Sequence, residues 1–194
     1  MHDSGKTRSR LLFAREFLKH PILLGSALPS SRFLVDRLLR QVDWPRTRVL
    51  VEYGPGVGTF TGNILKRLRD DATLVAIEMN PDFVEYLRRE HDDPRLIVVH
   101  GSAADVRHAL SQRRLGHADA IISGIPFSTL PQRERERILR ESKRALRPGG
   151  RFLVYQFTSA VRRDLERVFG PTERAREPLN ILPATIFTAM NDAA

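Results

Sequence analysis

The stretch Glu52-Tyr53-Gly54-Pro55-Gly56-Val57-Gly58-Thr59-Phe60 has the residue types of a ligand-binding turn. Its glycines allow a tight bend and let the backbone approach a small molecule. An apolar run, 48–52, precedes it and a helical pattern, 59–68, follows, so the turn joins a strand to a helix, as a nucleotide turn must. Two details set the chemistry of the ligand. The glycines run G-x-G-x-G, not the G-x-G-x-x-G that seats a dinucleotide pyrophosphate. An acid, Glu52, stands before the first glycine, where it repels phosphate and suits a cation. Glu78 closes the next apolar run, a place from which a carboxylate accepts both hydroxyls of a ribose. The bland alternative is a plain strand–helix turn with a surface glutamate.

Those residues ask for a nucleoside with a positive charge and no phosphate, and S-adenosylmethionine fits. The elements that must position them follow from periodicity. Strands are expected over 48–52, 74–78, 96–100, 118–123 and 152–157, with one or two more within 181–189. Helices are expected over 32–42, 59–68, 82–89, 131–146 and 159–169. Ser30-Ser31 read as the cap of the first, with Phe33, Leu34, Leu38 and Leu39 inward. Asn80-Pro81 supply a cap and a first-turn proline, and Pro148-Gly149-Gly150 a stop after 131–146. Alternating strands and helices make an α/β fold with a mainly parallel sheet covered on both faces. Its ligands bind beyond the C-terminal ends of the strands. Segments 52–60, 78–80, 101–103, 123–127 and 155–158 should therefore converge on one rim.

With these motifs, residues from about 26 to 158 resemble class I S-adenosylmethionine-dependent methyltransferases. The resemblance implies a Rossmann-like seven-stranded sheet with a reversed hairpin at its end. It also implies roles by position. Glu52, Gly54, Pro55, Gly56, Gly58, Thr59 and Phe60 would surround the methionine part, and Glu78 the ribose. Met79 and Asn80 would lie by the adenine, with Gly101, Ser102 and Ala103 along its edge. Many relatives carry an acid where this chain has Ser102, and Asp105 is a substitute for it. Ser123 would touch both cofactor and acceptor.

After the fourth strand comes Ser123-Gly124-Ile125-Pro126-Phe127-Ser128. Amino-group methyltransferases commonly place a polar residue, a proline and an aromatic here, the aromatic stacking on the acceptor nitrogen. An aromatic face suits a cationic or developing-cationic amine. Adenine methyltransferases usually begin this loop with Asn or Asp; Ser-Gly reads a base poorly but leaves room for an alkylamine. The competing reading is an ordinary turn with a buried Phe127. This loop, the stretch 25–32 and Tyr155-Gln156-Phe157-Thr158 resemble bacterial phospholipid N-methyltransferases, which act on phosphatidylethanolamine or ornithine lipids. That resemblance implies Phe127, Tyr155 and Ser123 as catalytic residues. Ser30, Ser31, Arg32, Gly124, Ile125, Pro126, Phe127 and Tyr155 would bind the substrate, Tyr155 at the head group and Arg32 at its phosphate.

Composition narrows the classes. The absence of cysteine excludes disulfides, cysteine–zinc sites and thiol nucleophiles. No stretch approaches the roughly 20 apolar residues of a membrane span. His91, His100, His108 and His117 show no metal-ligand spacing, and no metal is expected. Arg133, Arg135, Arg137 and Arg140 alternate with Glu134 and Glu136 as on a solvated helix face. The net charge of +9 suits an anionic membrane leaflet or nucleic acid, or mere solubility.

Residues 7–20 read as an amphipathic helix, with Phe13 and Phe17 on one side and Arg8, Arg15 and Lys19 beside it. It either lies on an anionic membrane or packs on the sheet. The chain thus divides into 1–44, a helical membrane-docking and lid segment, and 45–194, the S-adenosylmethionine-binding domain. No signal peptide is expected, and the location expected is cytoplasmic, peripheral on the inner face of the membrane. The expected partners are a phospholipid substrate and the membrane surface, with nucleic acid disfavoured and no obligate protein partner. The rival activities are methylation of rRNA adenine at N6 and cofactor binding without catalysis.

Overall fold

The computed structural model describes residues 30–158, 161–180 and 183–192; the helix expected over 7–20 lies outside them. Seven strands form one sheet: β1 (Val49–Tyr53), β2 (Thr73–Glu78), β3 (Leu96–His100), β4 (Ala118–Ser123), β5 (Leu146–Gln156), β6 (Glu173–Glu177) and β7 (Ala184–Met190). Their order is β3-β2-β1-β4-β5-β7-β6. The first five run parallel, and β7 is antiparallel to both β5 and β6. The helices are α1 (Arg32–Leu39), α2 (Thr59–Leu65), α3 (Pro81–Glu90), α4 (Val106–Ser111), α5 (Gln132–Ala145) and α6 (Arg162–Phe169). This is the Rossmann-like sheet with its reversed hairpin.

The central strands read as unbroken apolar runs because helices cover both faces. Side chains alternate between the faces with a period of two. Leu50 joins Leu34 and Leu38 of α1 and Ile64 of α2, whereas Val51 and Tyr53 join Ile138 and Leu139 of α5 and Phe169 of α6. Each fully buried aliphatic side chain contributes about 1.5–3 kcal/mol by leaving water. The same alternation puts Glu52 on Leu50's face. That carboxylate is forced under α2, into the layer where its neighbours are apolar.

From β1 the chain builds β2 and β3 to one side, then returns to place β4 and β5 on the other. The reversal opens a crevice between the tips of β1 and β4, the usual ligand position in open α/β sheets. Register keeps the tips level: Tyr53 lies opposite Ile77 and Ser123, Glu78 opposite His100, and Ser123 opposite Val154.

Local signals set most boundaries. The Ser31 hydroxyl accepts the Leu34 N–H at 3.2 Å and begins α1. The Asn80 side chain accepts the Asp82 N–H at 2.9 Å, ahead of Pro81 in the first turn of α3. Three expectations need correction. Phe33 is 42 % exposed, while Leu34, Val35, Leu38 and Leu39 are buried. At 100° per residue those four form one stripe, and Phe33 falls on the opposite side. Pro148-Gly149-Gly150 does not stop a helix: α5 ends at Ala145 and β5 runs through all three. Asn191 holds that stretch, its side-chain N–H reaching the Leu146 carbonyl at 2.8 Å and its carbonyl accepting the Gly149 N–H at 2.7 Å. Finally, β6 lies upstream of the tail where extra strands were sought. Its sequence, Glu-Arg-Ala-Arg-Glu, carries no apolar run and is strand only because β7 pairs with it. No helix among the described residues is long and apolar enough to cross a membrane.

Candidate active site

Two buried carboxylates stand at the tips of neighbouring strands. Glu52 is fully enclosed, and its Oε2 accepts the Thr61 hydroxyl of α2 at 2.7 Å. Burial pushes its pKa up to about 8; the Thr61 hydrogen bond opposes the rise and the charge of Glu78 adds to it. Glu78 spends its oxygens on backbone N–H groups, Oε2 on Gly56 at 3.0 Å and Oε1 on Asn80 at 2.9 Å. Burial raises its pKa also, against the pull of those bonds and of His100. Among the described residues no lysine or arginine lies within ion-pair distance of either acid. A buried acid without a cation is costly, and a cationic ligand removes that cost. The donor set therefore fits the ammonium and sulfonium charges of S-adenosylmethionine. The Met79 N–H also donates to this carboxylate, and one lone pair remains for a ribose hydroxyl.

The glycine turn encloses this pair. Gly54, Gly56 and Gly58 all have positive φ, at 64°, 55° and 76°. Gly58 is constrained twice: a Cβ on it would lie 2.9 Å from both His91 Nε2 and Leu87 Cδ2 of the α3 end. Met79, next to Glu78, is 69 % exposed on the crevice rim, available to an apolar base. The Gly101 N–H donates to the Glu78 carbonyl at 2.9 Å, which ties the tips of β2 and β3. Ala103 is buried, and Ser102 caps the 3₁₀ turn Ala103–Asp105 by accepting the Ala104 N–H at 3.1 Å. Asp105, the substitute acid, is instead exposed and paired with Arg137 at 2.7 Å. Asn80 serves the cap of α3.

On the acceptor side Tyr155 is buried and stacks on Phe60 with ring centroids 4.9 Å apart. Burial raises the Tyr155 pKa, opposed by a Ser30 hydrogen bond and assisted by the nearby charge of Glu52. The phenol thus stays protonated. Gly124 makes room for it, since a Cβ there would overlap the Tyr155 hydroxyl and sit 3.0 Å from the ring carbon that bears it. Ser123 is fully buried, its hydroxyl accepting the Ile125 N–H at 3.4 Å. Pro55 is buried, and Ile125, Pro126 and Thr59 are half-buried. Ser31 holds this end of the chain in place, its N–H donating to the Asn180 side chain at 2.7 Å.

One substrate-side expectation comes out differently. Phe127 is 0 % exposed, and its ring belongs to the core that includes Ile138 and Phe152. The loop folds into the 3₁₀ turn Phe127–Thr129, which turns the ring away from the crevice into the apolar layer beneath. Arg32 is exposed at the start of α1, with its guanidinium 4.8 Å from the Phe33 ring centre. Three contributors went unassigned in the sequence: Thr61, Asn180 and Gln156. The Gln156 amide donates to the carbonyls of Ile125 at 2.7 Å and Tyr155 at 2.8 Å, pinning the acceptor loop to β5. The Ile125 carbonyl also takes the Phe127 N–H at 2.9 Å, which fills its lone pairs and leaves none for an acceptor amine. Thr61 was findable as a hydroxyl two residues into the helix after the glycine turn. Gln156 lies within the 155–158 stretch that carries the resemblance and Asn180 is covered by the same likeness, but their partners are distant in sequence.

Known proteins resemble this chain in sequence and in fold. A methyltransferase domain profile matches residues 50–150. An ornithine lipid N-methyltransferase of Singulisphaera acidiphila is 33% identical over 175 residues, 89% of this chain and 91% of that protein. The ribosomal RNA small subunit methyltransferase A of Cupriavidus metallidurans is 32% identical over 103 residues, 50% of this chain and 35% of that protein. A crystal structure of a putative O-methyltransferase from Klebsiella pneumoniae shares the fold, with TM-score 0.69 at 16% identity over 98% of this chain and 91% of that one. Two buried acids around a glycine turn at the switch point, and these likenesses across most of the chain, lead to one statement: the chain belongs to the class I methyltransferases, with S-adenosylmethionine as methyl donor.

Proposed function

We propose that the chain methylates the amine of a lipid head group, of the ornithine-lipid or phosphatidylethanolamine kind, at an anionic membrane surface. One observation carries this reading: the likeness to the ornithine lipid enzyme spans 89% of the chain and 91% of that relative. The likeness to the ribosomal RNA relative covers only 50% of this chain and 35% of that protein. Ser-Gly at 123–124, in place of an amide, also suits an alkylamine better than a base.

When bound, the cofactor supplies an electrophilic methyl on a cationic sulfur. The chain's residues hold and align. Glu52 and Glu78 fix the charged and ribose parts, and the half-buried apolar pair Ile125 and Pro126 removes water from the acceptor. Desolvation lowers the pKa of an ammonium, so the amine arrives with its lone pair free. The protonated Tyr155 hydroxyl is a fixed dipole for the head group. Catalysis is then mostly alignment, with the nitrogen about 3 Å from the methyl and in line with the bond that breaks. Residues 1–44 form the docking and lid segment. The basic side chains within 7–20, Arg8, Arg15 and Lys19 among them, draw the chain to the anionic cytoplasmic leaflet, each adding about 1 kcal/mol.

The test is incubation of purified protein with methyl-labelled cofactor and anionic vesicles carrying phosphatidylethanolamine or ornithine lipid, with ribosomal RNA in parallel. Label in the lipid fraction is expected, as mono-, di- or trimethylated head group by mass. Label confined to RNA would replace this reading with the adenine N6 activity, which the +9 charge also suits. Cofactor binding with no label in either fraction would leave a non-catalytic binding protein.

A further inference from the structure

The adenine of the cofactor has a donor, its 6-amino group, that needs an acceptor. With the ribose on Glu78, the base would lie by Met79 and Gly101-Ser102-Ala103, where the Gly101 N–H ties β3 to the Glu78 carbonyl. Ser102 is the side chain at that rim, but its hydroxyl is committed. It accepts the Ala104 N–H at 3.1 Å and donates its proton to Glu134 Oε1 at 3.4 Å. Asp105 is held away by Arg137 at 2.7 Å. The acceptor remaining there is the carboxylate of Glu134, which reaches the β3 loop from the first turn of α5.

Glu134 stands out among the acids of its helix. Glu136 takes Arg140 at 2.6 Å and Arg167 at 3.0 Å, and Glu141 takes Arg144 at 2.7 Å. Glu134 lies between Arg133 and Arg135, yet among the described residues no arginine comes within ion-pair distance of it. Arg135 is engaged with Asp164 at 2.8 Å and with the Leu130 carbonyl at 2.8 Å. Among the described residues Oε2 of Glu134 and the spare lone pair of Oε1 take no further donor, and both are free to accept one.

We propose that Glu134, oriented by Ser102, accepts the 6-amino group of the cofactor's adenine and makes the site selective for that base. The proposal rests on the S-adenosylmethionine site described above. A carboxylate accepts from an amino group and repels a carbonyl oxygen at the same place. The site therefore discriminates adenine from hypoxanthine, which carries oxygen at that position.

Calorimetric titration with S-adenosylhomocysteine and with S-inosylhomocysteine, its 6-oxo counterpart, tests this without turnover. The wild type is expected to prefer the adenine ligand by about thirtyfold or more. In Glu134→Gln, whose amide can serve either base, the preference falls to within about threefold. Adding Ser102→Asp to Glu134→Gln restores a carboxylate at the rim and with it the preference. Each preference is a ratio within one variant, so a general loss of stability cancels. A Glu134→Gln protein that keeps the wild-type ratio, or loses both ligands equally, overturns the proposal while the cofactor site stands. Failure of the wild type to bind either ligand overturns both.

Discussion

Around the tips of β1 and β2, the groups that line the crevice come from two short runs of sequence, 52–61 and 78–80. Around the tips of β4 and β5 they come from four, because Ser30, Gly124, Tyr155 and Asn180 are neighbours only in space. The first region is a local device: a strand, a turn and a helix suffice to place an acid against backbone N–H groups. The second is a tertiary device, held by Gln156 across to Ile125 and by Asn180 across to Ser31. Damage to the first should therefore act on cofactor affinity and spare folding. Damage to the second should act on folding or turnover and spare the cofactor.

Phe127 gives the largest effect. As a core ring, Phe127→Ala is expected to cost about 3–5 kcal/mol in chemical denaturation, while Phe127→Leu at low temperature keeps turnover within severalfold. A Leu variant that is stable but inactive would return the ring to the acceptor and break the comparison. Next, Glu52→Gln should weaken S-adenosylhomocysteine at least hundredfold, about 2.7 kcal/mol, in calorimetry at pH 8.5. It should also raise the melting temperature of the ligand-free protein at that pH, because a neutral amide replaces a buried charge. Lowered affinity together with lowered stability would mean that Glu52 is structural.

The pH dependence sharpens the same point. With the Glu52 pKa raised from 4.5 to about 8, the folded protein holds a proton that the unfolded chain has released between those values. The stability from this group is full below about 4.5 and is lost as pH rises through about 8. Cofactor affinity moves the other way. It gains at most about tenfold per pH unit on the way up to about 8, with one proton released on binding. Titrations in buffers of different ionisation enthalpy read that proton directly, and a flat profile excludes Glu52 as the cation's partner. Smallest is Tyr155→Phe, which keeps the ring stack on Phe60 and loses one hydroxyl. Stability should change by about 1 kcal/mol or less, cofactor affinity by less than threefold and kcat/KM for lipid by about tenfold. An equal loss in cofactor affinity would put Tyr155 on the other side of the site.

The fold was readable because buried parallel strands are apolar without interruption, as in Leu74-Val75-Ala76-Ile77, and because Ser31 and Asn80 announce the helices they cap. β6 was not readable: Glu173, Arg174 and Arg176 give no strand pattern, and pairing with β7 alone makes them one. Phe33, expected inward with Leu34, Leu38 and Leu39, faces outward because the stripe that includes Val35 is centred on the opposite side of the helix. The resemblance places Phe127 against the acceptor; the 3₁₀ turn Phe127–Thr129 buries it, as in the competing reading of an ordinary turn.

By itself the sequence determined the cofactor's chemistry. A glycine turn after an acid, with a second acid closing the next strand, is a contiguous pattern whose geometry follows from strand period and turn conformation. Only the tertiary structure decided the rest. It buried Phe127, left the phenol of Tyr155 in the space that Gly124 opens, and turned Glu134 toward Ser102 while its neighbours took arginines. Those outcomes depend on which distant side chains compete for the same volume and the same proton. No local stretch of chain carries that information.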